Sequence, residues 1–228
     1  MCGILAVLGE PSAPLDEALG RLRHRGPDGQ GQWAAPGIAL GHVRLAVQDV
    51  EHGHQPMSNE DGSIWAVVNG ELYGIERTSH FRTRSDSEAA IHLYERYGLD
   101  FVHQLRGEFA IVLWDSRRQR LVAVRDRFGI KPLCYTAAQD SLTLASEAKA
   151  LFPTGWDLTS FLHAVTHQYL PPDRTLFEGI SQVPPGHYLL AGRNGHHLVR
   201  YWDLDAPPTA GDLFDTLQES VRLRVQAD

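Results

Sequence analysis

The sequence has few cysteines and no long apolar run, and each shortage removes a class of protein. Cysteine occurs only at Cys2 and Cys134, whereas disulfide-stabilised secreted domains are rich in it. No apolar stretch approaches the roughly 18 residues that a membrane-spanning helix needs, and no basic segment leads into an apolar one as in a secretory signal. A Cys2–Cys134 disulfide is an alternative, but we expect reduced thiols, a cytoplasmic protein and no membrane contact.

An excess of positive charge is also missing. The formal net charge is -7 over 228 residues, whereas nucleic-acid-binding domains cluster Lys and Arg on one face. The basic run at 21–25 is short and isolated, so we expect no nucleic-acid partner. His163 and His167 are spaced to share one helix face, but they lack the Cys or Glu neighbours of a zinc pattern. We therefore predict no metal site.

A cysteine does follow the initiator methionine directly. Removal of Met1 would leave Cys2 with a free thiol and a free α-amine. An ordinary α-amine has a pKa of about 7.7–8.0, which suits a general base at neutral pH, and such an amine can activate a neighbouring thiol. The same residues also fit a disordered terminus, so these four residues alone leave both interpretations open.

Apolar and alternating segments predict more strands than helices, and short turns between strands favour antiparallel sheets with helices outside. The expected strands lie at 4–8, 38–47, 64–68, 109–114, 121–124, 133–136, 142–145, 186–190 and 198–202. The expected helices lie at 14–23, 85–97, 147–152 and 159–169. Asn69-Gly70 predicts a tight hairpin turn, and the glycine-rich stretch 26–31 predicts a loop.

The last twenty residues form a segment of their own. Pro207-Pro208 marks a boundary, and the residues beyond it predict a helix with an apolar stripe. That stripe consists of Leu213, Leu217, Val221 and Val225. Since little sequence remains for the stripe to pack on, we interpret 209–228 as the first helix of a further domain. A terminal helix that folds back on the core is the alternative.

Eight short motifs follow one another in an order typical of one family. They occupy 1–4, 24–28, 53–57, 69–73, 84–86, 105–110, 125–133 and 146–151. Each is weak alone, but together they resemble the glutaminase domain of glutamine-hydrolysing asparagine synthetases. That domain is a class II glutamine amidotransferase with the N-terminal-nucleophile hydrolase fold. The resemblance covers residues 2–204 and continues into the tail helix.

The resemblance implies both a fold and a reaction. The fold is α+β, a four-layer αββα sandwich of two stacked antiparallel sheets with helices on each outer face. The reaction is hydrolysis of glutamine to glutamate and ammonia, with Cys2 as nucleophile and with Asn69 and Gly70 as donors to the oxyanion. Loss of one such donor typically lowers turnover about 100–1000-fold. The ammonia would go to an ATP-dependent synthetase that amidates a carboxylate, most often that of aspartate.

The resemblance also implies four residues that bind glutamine. Arg44 would clamp the carboxylate, for which a planar guanidinium is well suited. Asp86 would pair with the ammonium, although an N-cap is its alternative role, one that Ser85 can fill. Glu71 would lie beside the oxyanion donors, and Arg25 would belong to a glycine-rich loop that closes over the substrate. Composition alone equally allows that loop to be a flexible surface loop.

Two features depart from the family pattern. The segment 74–83 is short, with Gly74 where the family has asparagine, and it leaves room for little or no helix. The family's Ser-Gly-Gly-Leu-Asp-Ser loop, which binds ATP, does not occur in the 228 residues. We therefore expect no cofactor in this segment, and ATP and magnesium only in a synthetase domain supplied in cis or in trans. A homodimer is left open.

A second function fits the same motifs. Some relatives, such as β-lactam synthetases and lasso-peptide cyclases, keep this domain as a catalytically silent scaffold. Those relatives usually lack the N-terminal cysteine. Because Cys2 is present, the active glutaminase is the favoured interpretation, and retention of Met1 would reverse it.

Overall fold

Twelve strands and four α-helices make up the part of the chain that the computed structural model describes, residues 1–10, 13–77, 80–138, 140–205 and 211–225. The strands are β1 (Gly3–Gly9), β2 (Gly29–Ala35), β3 (Ile38–Arg44), β4 (Met57–Ser58), β5 (Ile64–Leu72), β6 (Gly107–Asp115), β7 (Arg120–Arg125), β8 (Cys134–Ala138), β9 (Ser141–Ala145), β10 (Ser181–Gln182), β11 (His187–Gly192) and β12 (Gly195–Arg200). The helices are α1 (Leu15–Gly20), α2 (Ala89–Tyr97), α3 (Leu158–His167) and α4 (Leu213–Arg224). Short 3₁₀ turns cover Arg23–Arg25, Asp86–Glu88, Gly98–His103 and Ala148–Leu151.

The strands form two six-stranded sheets. The first has the order β10-β8-β9-β1-β3-β2, and the second has the order β12-β11-β7-β6-β5-β4. Each pairing of these strands is antiparallel. The predicted pairing of 109–114 with 121–124 and the predicted hairpin at 186–202 are confirmed as β6–β7 and β11–β12.

Three apolar clusters separate the layers. Between the sheets, Ile4 and Leu40 pack with Val67 and Val112. Helix α2 covers the outer face of the second sheet, and α1 covers the outer face of the first. Successive side chains of a strand point to opposite faces, so Val67 faces the first sheet whereas Val68 faces α2. The predicted four-layer αββα sandwich is confirmed.

The predicted hairpin at Asn69-Gly70 is wrong. Strand β5 continues through both residues to Leu72, with Asn69 opposite Ala110 and Gly70 opposite Phe109 of β6. A Cβ added at Gly70 would lie 2.1 Å from the Glu108 carbonyl oxygen. The glycine is therefore required by close packing against β6, and it does not form a turn.

The predicted loop at 26–31 is wrong in its second half. Strand β2 begins at Gly29 and pairs antiparallel with β3, with Gly29 opposite Arg44. A Cβ at Gly31 would lie 2.0 Å from the Gln55 carbonyl oxygen, so this glycine also marks a close approach between two backbone segments. Glycine content alone does not separate such an approach from a loop.

The helix predicted at 85–97 begins as a 3₁₀ turn and becomes α2, which ends at Gly98 with φ 58°. Ser85 Oγ accepts a hydrogen bond from Ser87 N, as an N-cap does. The Glu88 carboxylate accepts hydrogen bonds from the backbone amides of Arg82 and Thr83, each at 2.8 Å. These bonds fix the end of the short segment before Asp86, and residues 74–77 and 80–83 contain no helix.

The tail helix is present as α4. The predicted stripe residues Leu213, Leu217, Val221 and Val225 are exposed, while Leu223 is buried and Arg224 Nε donates to Glu108 Oε1 at 2.9 Å. The predicted boundary at 207–208 and residues 209–210 and 226–228 lie outside the described residues, so the assignment of 209–228 to a further domain stays a prediction. Among the described helices, none combines the length and apolar character needed to cross a bilayer.

Candidate active site

Six of the seven predicted site residues line one pocket of about 160 Å³. They are Cys2, Arg44, Asn69, Gly70, Glu71 and Asp86. They come from the start of β1, the end of β3, the end of β5 and the 3₁₀ turn before α2.

The Cys2 thiol lies against the backbone of Leu45. Sγ accepts a hydrogen bond from Leu45 N at 3.4 Å and donates to Leu45 O at 3.6 Å. Burial raises the pKa of the Cys2 thiol and lowers the pKa of the Met1 α-amine. A thiol with a raised pKa is a poor nucleophile until a base takes its proton.

The other cysteine has no comparable surroundings. Cys134 is buried, and burial raises the pKa of its thiol to about 11. Both cysteines are free, so the alternative of a Cys2–Cys134 disulfide is not supported. Cys2 is the thiol that faces a pocket.

The outer edge of β5 supplies backbone donors to the same pocket. Val68 N donates to Gln55 Oε1 at 2.6 Å, and Leu72 N donates to Asp86 Oδ2 at 2.5 Å. Backbone amides of a strand alternate between its two edges, so Gly70 N–H faces the same edge as those of Val68 and Leu72. It lies between two amides that side chains already occupy, in the pocket wall.

Asn69 adds a side-chain donor beside that amide. Asn69 is two residues after Val67 on the same strand, so its side chain faces the first sheet, as that of Val67 does. Strand β1 of that sheet begins at Gly3, directly after Cys2. Asn69 is 1% exposed, and its Nδ2 has no hydrogen-bond partner among the described residues. A buried donor left unpaired costs about 1–3 kcal/mol. Asn69 and the Gly70 amide therefore lie side by side in the wall of the pocket, and together they can supply two donors to a negatively charged oxygen.

Arg44 is buried and held by the loop that follows β3. Its Nη1 donates to Val50 O at 2.9 Å, and its Nη2 donates to the carbonyls of Gln48 and Asp49 at 3.0 and 2.6 Å. A guanidinium has five N–H donors, so Nε–H and one Nη1–H remain without a partner in the described part of the chain. The fixed charge in the pocket wall suits a carboxylate.

Asp86 and Glu71 give the pocket an acidic side. Burial first, and the charge of Glu71 in addition, raise the pKa of Asp86 to about 6. The capping role falls to Ser85, which accepts from Ser87 N. Asp86 lines the pocket beside Glu71, where a bound cation would relieve the repulsion between the two carboxylates.

Arg25 is the predicted site residue that does not line the pocket. It ends the 3₁₀ turn Arg23–Arg25, is buried, and donates from Nε to the Cys2 carbonyl oxygen at 2.9 Å. Its Nη1 donates to Glu147 Oε1 at 2.7 Å. In this structure Arg25 contacts the backbone of Cys2 and does not line the pocket, so its role in a loop that closes over the substrate stays a prediction.

The family model for glutamine amidotransferase domains matches residues 1–202. The chain belongs to this family. Asparagine synthetase [glutamine-hydrolyzing] 3 of Bacillus subtilis is 34% identical over 97% of this chain and 40% of its own length. The amidase chry2 of Gibberella zeae is 40% identical over 100% of this chain and 40% of its own length. The amidotransferase domain thus spans about two fifths of these curated relatives.

Solved structures show the same fold. The phosphoribosylpyrophosphate amidotransferase of Bacillus subtilis superimposes with a TM-score of 0.61 over 88% of this chain and 49% of its own, at 22% identity. The predicted resemblance is confirmed: this is a class II glutamine amidotransferase domain, homologous to the glutaminase portion of asparagine synthetases and folded as an N-terminal-nucleophile hydrolase.

Three residues in or around the amidotransferase pocket had no role assigned from the sequence: Gln55 and Lys131 line it, and Glu147 lies outside it. Gln55 binds the edge of β5, Lys131 lines the wall, and Glu147 holds Arg25. Each lies within one of the eight motifs, and that position was the available signal. His163 and His167 have ring centroids 4.5 Å apart, but the described residues contain no group of three or more His, Cys, Asp or Glu arranged to hold a metal ion.

Proposed function

We propose that this amidotransferase domain hydrolyses glutamine to glutamate and ammonia, with Cys2 as the nucleophile after removal of Met1. The observation that carries the proposal is that Asn69, whose buried Nδ2 lacks a partner among the described residues, lines with Gly70 the same pocket as Cys2. Folding leaves a donor unpaired at a cost, and a transient oxyanion is the ligand that would satisfy it.

The charged groups orient the substrate. Arg44 binds the α-carboxylate of glutamine, and Asp86 with Glu71 binds the α-ammonium. The two groups lie on the wall of one pocket with Cys2, so the side-chain amide of the same molecule reaches the thiol. Holding both ends of the substrate places the carbonyl carbon near Sγ and reduces the entropic cost of the attack.

The chemical steps follow from the two groups of Cys2. The free α-amine takes the thiol proton, and Sγ adds to the amide carbon as the carbonyl electron pair moves to oxygen. Asn69 and Gly70 bind that oxyanion. Collapse of this tetrahedral intermediate breaks the C–N bond, and the departing nitrogen takes the proton from the protonated amine. Ammonia is released, and a thioester between Cys2 and the glutamyl group remains. Water then cleaves the thioester to glutamate and restores the thiol.

The ammonia that this reaction releases is itself a reactant for a further enzyme step. We infer that it supplies an ATP-dependent asparagine-synthetase-type domain, in cis or in trans, which binds ATP and magnesium and amidates a carboxylate. The synthetases among the relatives support this role, and aspartate is the first acceptor to test. The fungal amidases among the relatives make other acids the next candidates. Cytoplasmic localisation remains a prediction, and whether the protein forms a homodimer is left open.

Intact mass and a glutaminase assay test the nucleophile. We expect the purified protein to lack Met1 and to release glutamate, and Cys2→Ala to release none. Cys134→Ala is the matched control, since it removes the other thiol and should keep the activity. Glutamate release by Cys2→Ala would exclude Cys2 as nucleophile. A retained Met1 with no activity would favour the silent scaffold.

A further inference from the structure

Glu147 lies outside the pocket, but it binds the residue that holds Cys2. Glu147 Oε1 accepts from Arg25 Nη1 at 2.7 Å, and Arg25 Nε donates to the Cys2 carbonyl oxygen at 2.9 Å. The Arg25 side chain is only 7% exposed, so its charge has little water around it and needs a carboxylate for compensation. A continuous path of hydrogen bonds thus runs from Glu147 to the backbone of the nucleophile.

The residue before Glu147 holds the same part of β1. Ser146 Oγ accepts from Ile4 N at 2.9 Å, and Ser146 N donates to Ile4 O at 3.0 Å. On the other side of β1, the Leu45 backbone holds the Cys2 sulfur. Cys2 is therefore held at two atoms, its carbonyl oxygen and its sulfur. Together these contacts fix the orientation of its α-amine and its thiol.

We propose that Glu147 is a positioning residue for Cys2, acting through Arg25. By fixing the fork of Arg25 it fixes the carbonyl of residue 2, and with it the position of the Cα that carries both the amine and the thiol at the pocket wall. The proposal rests on glutamine hydrolysis by Cys2. A shift of about 1 Å at a reacting group costs about 100-fold in rate, so loss of this hold acts on turnover.

The electrostatics of Glu147 suit a permanent hold. Burial alone would raise the pKa of Glu147, but hydrogen bonds from Arg25, Lys149 and His24 outweigh it and lower the pKa to about 2. The carboxylate therefore stays ionised at any pH at which glutamine hydrolysis would be assayed. Lys149 Nζ lies 3.0 Å from Oε2 and is half exposed, so it contacts the carboxylate without touching Arg25.

The test compares Glu147→Gln with Lys149→Gln in a Cys134→Ala background, where Cys2 is the sole thiol. Glu147→Gln keeps the shape but removes the charge, and we expect kcat to fall about 100-fold with KM for glutamine unchanged. We also expect alkylation of Cys2 by iodoacetamide to slow. Lys149→Gln should match the parent in both measurements, and Glu147→Asp should recover part of kcat.

A second variant keeps the test decisive if Glu147→Gln does not fold. Arg25→Lys keeps a positive charge for Glu147 but loses the fork that reaches Cys2 O, and it should lose kcat with KM unchanged. Parental kcat and alkylation rate in the folded variant would overturn the proposal, as would a fall in kcat matched by a rise in KM. If the parent releases no glutamate, the proposed function fails, while the alkylation rates still decide whether Glu147 positions Cys2.

Discussion

Replacement of Asn69 by leucine is expected to change stability and turnover in opposite directions. The buried Nδ2 has no partner in the described structure, so an apolar side chain of similar size removes an unpaired donor that costs about 1–3 kcal/mol. We expect the free energy of unfolding to stay level or to rise by up to about 2 kcal/mol. Turnover should fall about 100–1000-fold, the usual effect of losing one oxyanion donor.

Asn59 provides the matched control. It is also buried, but its Nδ2 donates to Ser63 Oγ and Glu95 Oε1, and its Oδ1 accepts from Ile64 N. At about 1 kcal/mol per hydrogen bond, Asn59→Leu should lose roughly 3 kcal/mol of stability while keeping kcat. Urea unfolding and glutamate release measure both quantities. If Asn69→Leu behaves like Asn59→Leu, the reasoning from the unpaired donor is refuted.

Two further predictions concern substrate binding. Since the pKa of Asp86 is raised to about 6, KM for glutamine should rise as pH falls below 6, and Asp86→Asn should show a high KM with no such step. The fold favours the protonated form of Asp86, so the free energy of unfolding should decrease as pH rises from the unfolded pKa of about 3.9 to the folded pKa of about 6. Urea unfolding should therefore find Asp86→Asn more stable than the parent near neutral pH and no more stable below pH 4. Arg44→Lys should raise KM for glutamine about tenfold or more with little change in kcat, because a lysine ammonium does not reproduce the N–H directions of the planar guanidinium that the loop carbonyls hold in place. Arg125→Lys is its control, since Arg125 also donates to backbone carbonyls but lies outside the pocket wall; an equal rise in KM for both variants would contradict the carboxylate clamp.

Local pattern was enough to predict most strands, because the buried segments of β1, β6 and β7 are apolar and short. Motif order located the six wall residues, although nothing in their spacing shows that the ends of β1, β3 and β5 meet. The Asn69-Gly70 prediction failed because a turn preference is local, whereas pairing of β5 with β6 depends on residues about forty positions away. Tertiary pairing overrode the local signal.

The contacts that complete the site are the least visible in the sequence. Arg25 and Glu147 are 122 residues apart, and no periodicity relates two side chains across that distance. The raised pKa of Asp86 likewise depends on burial and on Glu71, and burial is a property of the fold. The sequence could supply candidate residue types, while the pairing of charges required coordinates.

The brevity of β4 has a consequence for solubility. Its two residues cover β5 only at Trp65 and Ala66, so beyond them the edge of the second sheet would be open to intermolecular β-pairing. Gln55 and Asp86 block that edge by occupying the amides on either side of Gly70. Along the described part of this edge, a neighbouring chain therefore meets no run of vacant backbone amides from which to start aggregation, while the Gly70 amide is left for a small ligand.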